Sequence, residues 1–460
     1  MSTASSLIHP VDARPGRLTH HLRATIVLAA PIAAAQLAQM AMGLTDTVML
    51  GRIGDTALAA GGLGATLFFT CLFTFQGLLS GTAVLAARAR GAGQKQDVPA
   101  IYWSGLVLSA ALCVPMFALM SDPGPLLRAA GDNPALMEAV RSYLSVLRWG
   151  VPAGVMGIGL VRGFLPAIEL QRLMLWVIPG AVLLNFVLNI WFINGGLGLA
   201  PHGMRGSAAA TAVSLWVSAL ALLALLHSHR QAHFVRPSRP RFSIILALLT
   251  IGLPVGMTMV VEAALFLVTA LMVGALGPVE LAAHTVAISV ASVTFMVPLA
   301  ISQAANVRVG YEAGAHRPEA ARRAGFAAIG LAAAFMGATA LVMLTAPHAV
   351  VGLYLAAASP STVLAARLLR VAGAFQIADG VQVTASGALR GLKDTRMPML
   401  LAAFGYWGIG FWLGRTLAFP LGLGVVGLWW GLFGGLATSA LCLTTRFYIF
   451  ARPGAVAPGR

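Results

Sequence analysis

Apolar runs of about 20 residues, the length a helix needs to cross a bilayer, alternate with short polar breaks from residue 26 to residue 450. The pattern predicts twelve spans, at 26–50, 56–80, 100–120, 138–160, 173–194, 207–227, 244–272, 281–303, 323–346, 362–389, 397–419 and 425–450. The fold class that follows is an all-α polytopic membrane protein.

The pattern repeats. A shift of 223 residues lays the first two spans on spans seven and eight without a gap. Pro31 falls on Pro254, Gly51 on Gly274, Gly54 on Gly277, and Leu58-Ala59-Ala60 on Leu281-Ala282-Ala283. Further along, Arg162-Gly163 matches Arg390-Gly391, with the shift drifting only between 221 and 228. Six spans per half insert both halves the same way up, related by a pseudo-two-fold along the membrane normal. Repeats of this kind place substrate and ion sites at the interface between halves. The expected organisation is a cytoplasmic tail at 1–25, a six-helix bundle at 26–227, a basic cytoplasmic linker at 228–243, a second bundle at 244–450 and a cytoplasmic tail at 451–460.

Composition agrees: 58% of residues are hydrophobic and 10% charged, with mean hydropathy +0.85. A soluble domain carries about 25% charged residues. The net charge of +16 does not point to nucleic acid. With both termini inside, 22 Lys and Arg fall on the cytoplasmic side and 5 on the other, the asymmetry expected of short cytoplasmic loops. Arg148, Arg367 and Arg370 lie inside spans four and ten. Cys71, Cys113 and Cys442 sit in separate apolar segments and read as packed thiols. The polar N-terminus has no apolar stretch before a cleavage site and reads as a tail. "GLGVVG" at 422–427 follows no strand, so it reads as close helix packing rather than a nucleotide loop. His229 and His233 supply only two ligands in a solvated basic linker, short of a metal site.

Three acids lie deep in predicted spans: Asp46, Glu262 and Asp379. A charge in hydrocarbon costs at least about 2.5 kcal/mol, and intramembrane acids by default mark ion or substrate pathways. Each heads a polar stripe at helical spacing. Gln376, Asp379, Gln382 and Ser386 share a sector of span ten. Gln36, Gln39 and Asp46 share a face of span one, with Met42 and Gly43 between, and Thr258, Glu262 and Thr269 share one in span seven. The repeat lays Gln39 on Glu262 and Asp46 on Thr269, so the two halves match in shape and differ in charge. Val151 is the apolar counterpart of Asp379, so the cation site is expected mainly in the C-terminal half, with Asp46 lining a separate N-terminal cavity. Asn185 and Asn189 in span five either line a cavity or bond between helices. Met40, Met42, Met49, Met257 and Met259 flank the acids, and adaptable Met surfaces suit ligands of varied shape.

"APIAAAQLAQMAMGLTDTVMLGRIGDTALAAGGLG" resembles the first two spans of the multidrug and toxic compound extrusion (MATE) family. "LPVGMTMVVEAALFLVTALMVGALGPVELAAHTVAIS" is similar to its spans seven and eight, and "FQIADGVQVTASGALRGLKDTRMPM" to its tenth span and following loop. The resemblance covers essentially the whole chain. Asp46, Glu262 and Asp379 fall where the NorM-like branch carries its functional carboxylates. It implies a V-shaped pair of six-helix bundles that exports organic, often cationic, drugs coupled to entry of Na+ or H+.

The expected function is therefore a secondary antiporter of the bacterial inner membrane, acting on small organic molecules as a monomer without a cofactor. The cation residues are Glu262, Asp379 and Asp46; no metal other than Na+ is expected. The alternative is a lipid-linked precursor flippase of the same broad fold group. A phosphate-bearing substrate calls for a cationic cavity, which three acids oppose. No GxSxG, HExxH or paired intramembrane His supports an enzyme.

Overall fold

The computed structural model describes residues 18–124, 134–196, 198, 200–355 and 359–452. Arg14, Arg17, Arg128 and Arg460 of the charge asymmetry lie outside those residues, as do the ends of both tails. The chain order is α1 (Leu18–Ile53), α2 (Asp55–Leu79), α3 (Gly81–Gly91), α4 (Val98–Ser121) and α5 (Pro134–Leu147). A π-helical segment, Ala153–Arg162, follows. Then come α6 (Met174–Asn194), α7 (Gly203–Ser228), α8 (Phe242–Gly274), α9 (Pro278–Gly314), α10 (Pro318–Thr345), the short α11 (Pro347–Val351) and α12 (Ser361–Gly391). The last elements are α13 (Arg396–Ala403), a second π segment at Phe404–Phe411, α14 (Trp412–Ala418) and α15 (Gly424–Phe450). No β-strand occurs among the described residues.

Eleven helical stretches are long and apolar enough to cross a membrane, and a twelfth forms if Pro134–Gly150 and Ala153–Ile168, bent by 48°, count as one span. The predicted fourth span is thus a broken one. Large apolar side chains such as Trp176, Leu271 and Leu441 stay exposed, as a lipid-facing surface requires.

The repeat is visible in the backbone. Gly54, immediately before α2, has φ 144° and Gly277, immediately before α9, has φ 147°, a conformation that L side chains rarely adopt. These glycines are 223 residues apart. Pro31 and Pro254 lie inside α1 and α8 at equivalent positions, each removing one helical N–H.

By contacts the described chain divides into two compact units. One comprises residues 18–33, 87–93 and 257 onward; the other comprises 34–86 and 94–256. α1 and α8 each hand over from one unit to the other within three residues of their proline.

The core of the first unit gathers Phe375, Trp429, Leu432 and Leu436. Trp429 Nε1 donates to His284 Nδ1 at 3.2 Å, which satisfies the buried indole. At one end of this unit Arg308 Nη1 donates to the His21 carbonyl at 2.7 Å and to Thr25 Oγ1 at 2.6 Å. Two backbone approaches there are reciprocal. A Cβ at Gly91 would fall on the Tyr311 carbonyl oxygen, and a Cβ at Gly314 on the Arg88 carbonyl oxygen. Both 88/311 and 91/314 are separated by the repeat shift.

In the second unit Tyr143, Leu144, Phe68 and Leu72 are fully enclosed. The basic linker is docked rather than solvated throughout. Phe234 and Val235 are buried, and Trp103 Nε1 on α4 donates to the Val235 and Arg236 carbonyls at 3.2 and 2.9 Å.

Candidate functional site

Gln376, Asp379 and Gln382 recur every three residues on α12, so they share one side of it. All three are buried. Asp379 is 5% exposed, and its Oδ1 has no hydrogen-bond partner. No lysine or arginine among the described residues pairs with it. A carboxylate so placed carries its desolvation cost uncompensated.

Glu262, partly buried on α8, acts electrostatically on Asp379. Tyr406 belongs to the second π segment, and wide turns of that kind recur at functional sites. Its ring is enclosed, its hydroxyl has no partner, and both acids act on it. Gln376 donates through Nε2 to Thr294 Oγ1 of α9, while its Oε1 stays unpartnered. Two carboxyls and a phenol are thus within electrostatic reach of one another in the first unit, and the unpartnered amide oxygen belongs to Gln376, three residues before Asp379 on α12. Hard cations take such oxygen sets.

The other acid is held differently. Asp46 on α1 is 5% exposed. It accepts from Asn189 Nδ2 at 2.6 Å and from Thr211 Oγ1 of α7 at 2.8 Å. Asn189 Nδ2 also reaches Asn185 Oδ1 at 3.1 Å, and Asn185 Nδ2 reaches Thr211 Oγ1 at 3.3 Å. α6 supplies both asparagines one turn apart, and the small residues before Thr211 let α7 approach. Three neutral groups and one acid thus form a hydrogen-bonded set within the second unit, with Asn189 Oδ1 left unpartnered and all but Thr211 anticipated from sequence.

Not every stripe residue reaches an acid. Thr269 and Ser386 lie seven residues beyond Glu262 and Asp379, which at helical rise is about 10 Å. Thr258 sits one turn before Glu262 on α8. Gln36 and Met42 are buried on α1. Gln39 is bound by an unforeseen partner: Arg162 Nη1 donates to its Oε1. The predicted fourth span stops at residue 160 and leaves Arg162 outside it, but Arg162 closes the first π segment and is 5% exposed. None of the three arginines inside spans serves the acids. Arg148 donates to Ser121 Oγ at 3.1 Å and lies over the Phe117 and Trp149 rings, and Arg367 and Arg370 are exposed.

Tyr406, Thr294 and Thr211 escaped sequence reasoning because hydroxyls are unremarkable in apolar spans. The only signal for Thr211 was its place among the hydroxyls of "SAAATAVS", with Ser207 and Ser214.

A family model described as MatE matches residues 31–191 and 254–415. The two matched stretches begin 223 residues apart, the shift of the internal repeat. The chain is 53% identical over 441 residues to a protein of Burkholderia mallei called "Probable multidrug resistance protein NorM", covering 95% of this chain and 94% of that one. It is 52% identical over 442 residues to "Multidrug resistance protein NorM" of Burkholderia vietnamiensis, covering 95% and 96%. Among solved structures, a crystal structure of MATE in the bent conformation superposes with TM-score 0.86 at 21% identity, covering 96% of this chain and 98% of that one.

Proposed function

The chain belongs to the MatE family, and on that premise we propose that it is a secondary antiporter, which exports organic, often cationic, compounds in exchange for entering Na+ or H+ by alternating access. It is a multi-pass membrane transporter and not an enzyme. Its place is a bacterial inner membrane, as a monomer with both termini in the cytoplasm, and its two six-span halves run from 26 to 227 and from 244 to 450. The resemblance of the relatives named for multidrug resistance supports a broad range of small organic substrates.

One observation carries the coupling: Asp379 is buried, its Oδ1 lacks a donor, and Glu262 and Tyr406 are its electrostatic neighbours. A buried carboxyl without a protein partner calls for a cation or a proton, and a group that takes one on and releases it couples transport to a gradient. Glu262 and Asp379 form the exchanging pair, with Gln376 and Gln382 orienting Asp379. Asp46, already satisfied by neutral donors, belongs to an N-terminal cavity with Gln36, Gln39, Met42, Asn185 and Asn189.

The test is efflux of a fluorescent cationic dye from proteoliposomes under an imposed gradient of Na+ or of H+. Acceleration by one inward gradient and collapse with the matching ionophore is the expected result. Dye movement indifferent to both gradients refutes antiport.

A further inference from the structure

Two guanidiniums of the first unit share one aromatic ring. The Arg322 guanidinium carbon lies 4.8 Å from the centre of the Tyr448 ring, and that of Arg452 lies 4.4 Å from it. The two charges are therefore no farther apart than those distances combined. They come from different elements: Arg322 stands near the start of α10, and Arg452 follows the end of α15. Packing explains the meeting. The buried Phe447 ring lies where a Cβ at Gly325 would fall, so α10 and α15 approach closely beside the clamp. Phe326 braces it, with its ring centre 6.3 Å from that of Tyr448 and 5.9 Å from the Arg322 guanidinium.

Neighbouring arginines have acids. Arg323 pairs with Glu319 at 3.3 Å and Arg446 with Asp394 at 2.5 Å. No carboxylate among the described residues pairs with Arg322 or Arg452. Two like charges on one ring repel, and the aromatic face returns little at an exposed site. The repeat does not demand the arrangement. The alignment that lays Gly203 and Gly206 on Gly424 and Gly427 puts His227 opposite Tyr448 and Gln231 opposite Arg452.

The adjoining surface is apolar and open. Leu441 and Tyr448 lie seven residues apart on one face of the span Gly424–Phe450, which is about 10 Å of helix. They are 71% and 40% exposed, and Ile449 is 50% exposed. Tyrosine gathers at the edge of a bilayer, and arginine extends from there to the headgroups.

We propose that Arg322 and Arg452, held on Tyr448, bind the phosphate of an anionic phospholipid whose acyl chain lies along the Leu441 face of α15. The site goes beyond the antiport reading and does not depend on it. A phosphodiester offers oxygens to both guanidinium forks and supplies the charge that the pair lacks. The open apolar face directly beside the clamp favours a lipid over a soluble phosphate, which has no chain to lay there.

The test titrates purified protein in detergent with phosphatidylglycerol and, separately, with phosphatidylcholine of the same chains, reading bound lipid by native mass spectrometry. The variants are Arg322→Gln with Arg452→Gln, Tyr448→Leu, and Arg239→Gln, an exposed linker arginine that controls for general surface charge. Affinity for the first phosphatidylglycerol should fall on the order of tenfold in the double variant, with phosphatidylcholine unchanged. Tyr448→Leu keeps both charges and should lose part of the preference, because the ring no longer gathers them. Arg239→Gln should match wild type. Unchanged phosphatidylglycerol affinity in the double variant, or an equal fall in Arg239→Gln, overturns the proposal. Glycerol phosphate, the headgroup without chains, is added as competitor; displacement at concentrations equal to those of the lipid would make this a soluble-phosphate site and overturn the lipid assignment.

Discussion

Asp46 and Asp379 are equally hidden, each 5% exposed, yet one is surrounded by donors and the other is not. That contrast separates their mutants. Asp379→Asn removes the charge at the unpartnered position and should abolish gradient-driven efflux while leaving insertion intact; gradient-driven efflux at the wild-type rate would exclude it from coupling. Thr211→Val strips one of the two donors from Asp46 and leaves a buried oxygen short of a bond. Such a loss costs about 1–3 kcal/mol, so fluorescence-detected thermal unfolding should register a clear drop in midpoint while Na+ or H+ dependence persists. The acids were legible in the sequence because a carboxylate in an apolar run is anomalous. Tyr406 and Arg162 were not. A phenol is at home in a membrane helix, and a basic residue near the end of an apolar run looks like a loop residue until a bend and a π turn draw it inward.

Among the elements, hydropathy located every span but not how spans four and eleven are wound. An α turn and a π turn differ by one residue in hydrogen-bond span, and the period of apolar positions is too coarse to tell them apart over eight to ten residues. Gly54 and Gly277 were legible as equivalent positions, whereas the pairing of Gly91 with Gly314 emerged from the structure, and the reasons differ. Gly54 and Gly277 serve backbone turns. Gly91 and Gly314 serve close approach, because any side chain there strikes a carbonyl across the crossing. The two approaches are reciprocal, so Gly91→Val and Gly314→Val should impair the protein to a similar degree, each lowering efflux and thermal midpoint together. A large effect at one glycine and none at the other, in the same efflux and unfolding assays, would show that the crossing is not symmetric in energy.

For the whole molecule, the 223-residue repeat was readable from a few dozen letters, because duplicated spans keep their Pro and Gly punctuation. A repeat identifies equivalent positions but not which copy packs against which. The grouping of residues 18–33 and 87–93 with the unit that begins at 257 therefore lay beyond the sequence. The same limit applied to the acids: alignment related Gln39 to Glu262, while only coordinates reveal that Gln39 is bound by an arginine.

The bond from Arg308 to the His21 carbonyl spans 287 residues of chain, and this sets a clock on synthesis. A ribosome adding about 5–20 residues per second needs on the order of 15–60 s to pass from one partner to the other. Throughout that interval the start of the first helix is in the membrane without the guanidinium that later takes up its carbonyl. The first helix to be made is thus among the last to be finished, and insertion precedes assembly by tens of seconds. A nascent chain arrested before residue 308 should leave the stretch around His21 open to added protease, and release of the full chain should close it. Protection already complete in the arrested chain would mean that the first helix settles without its distant partner.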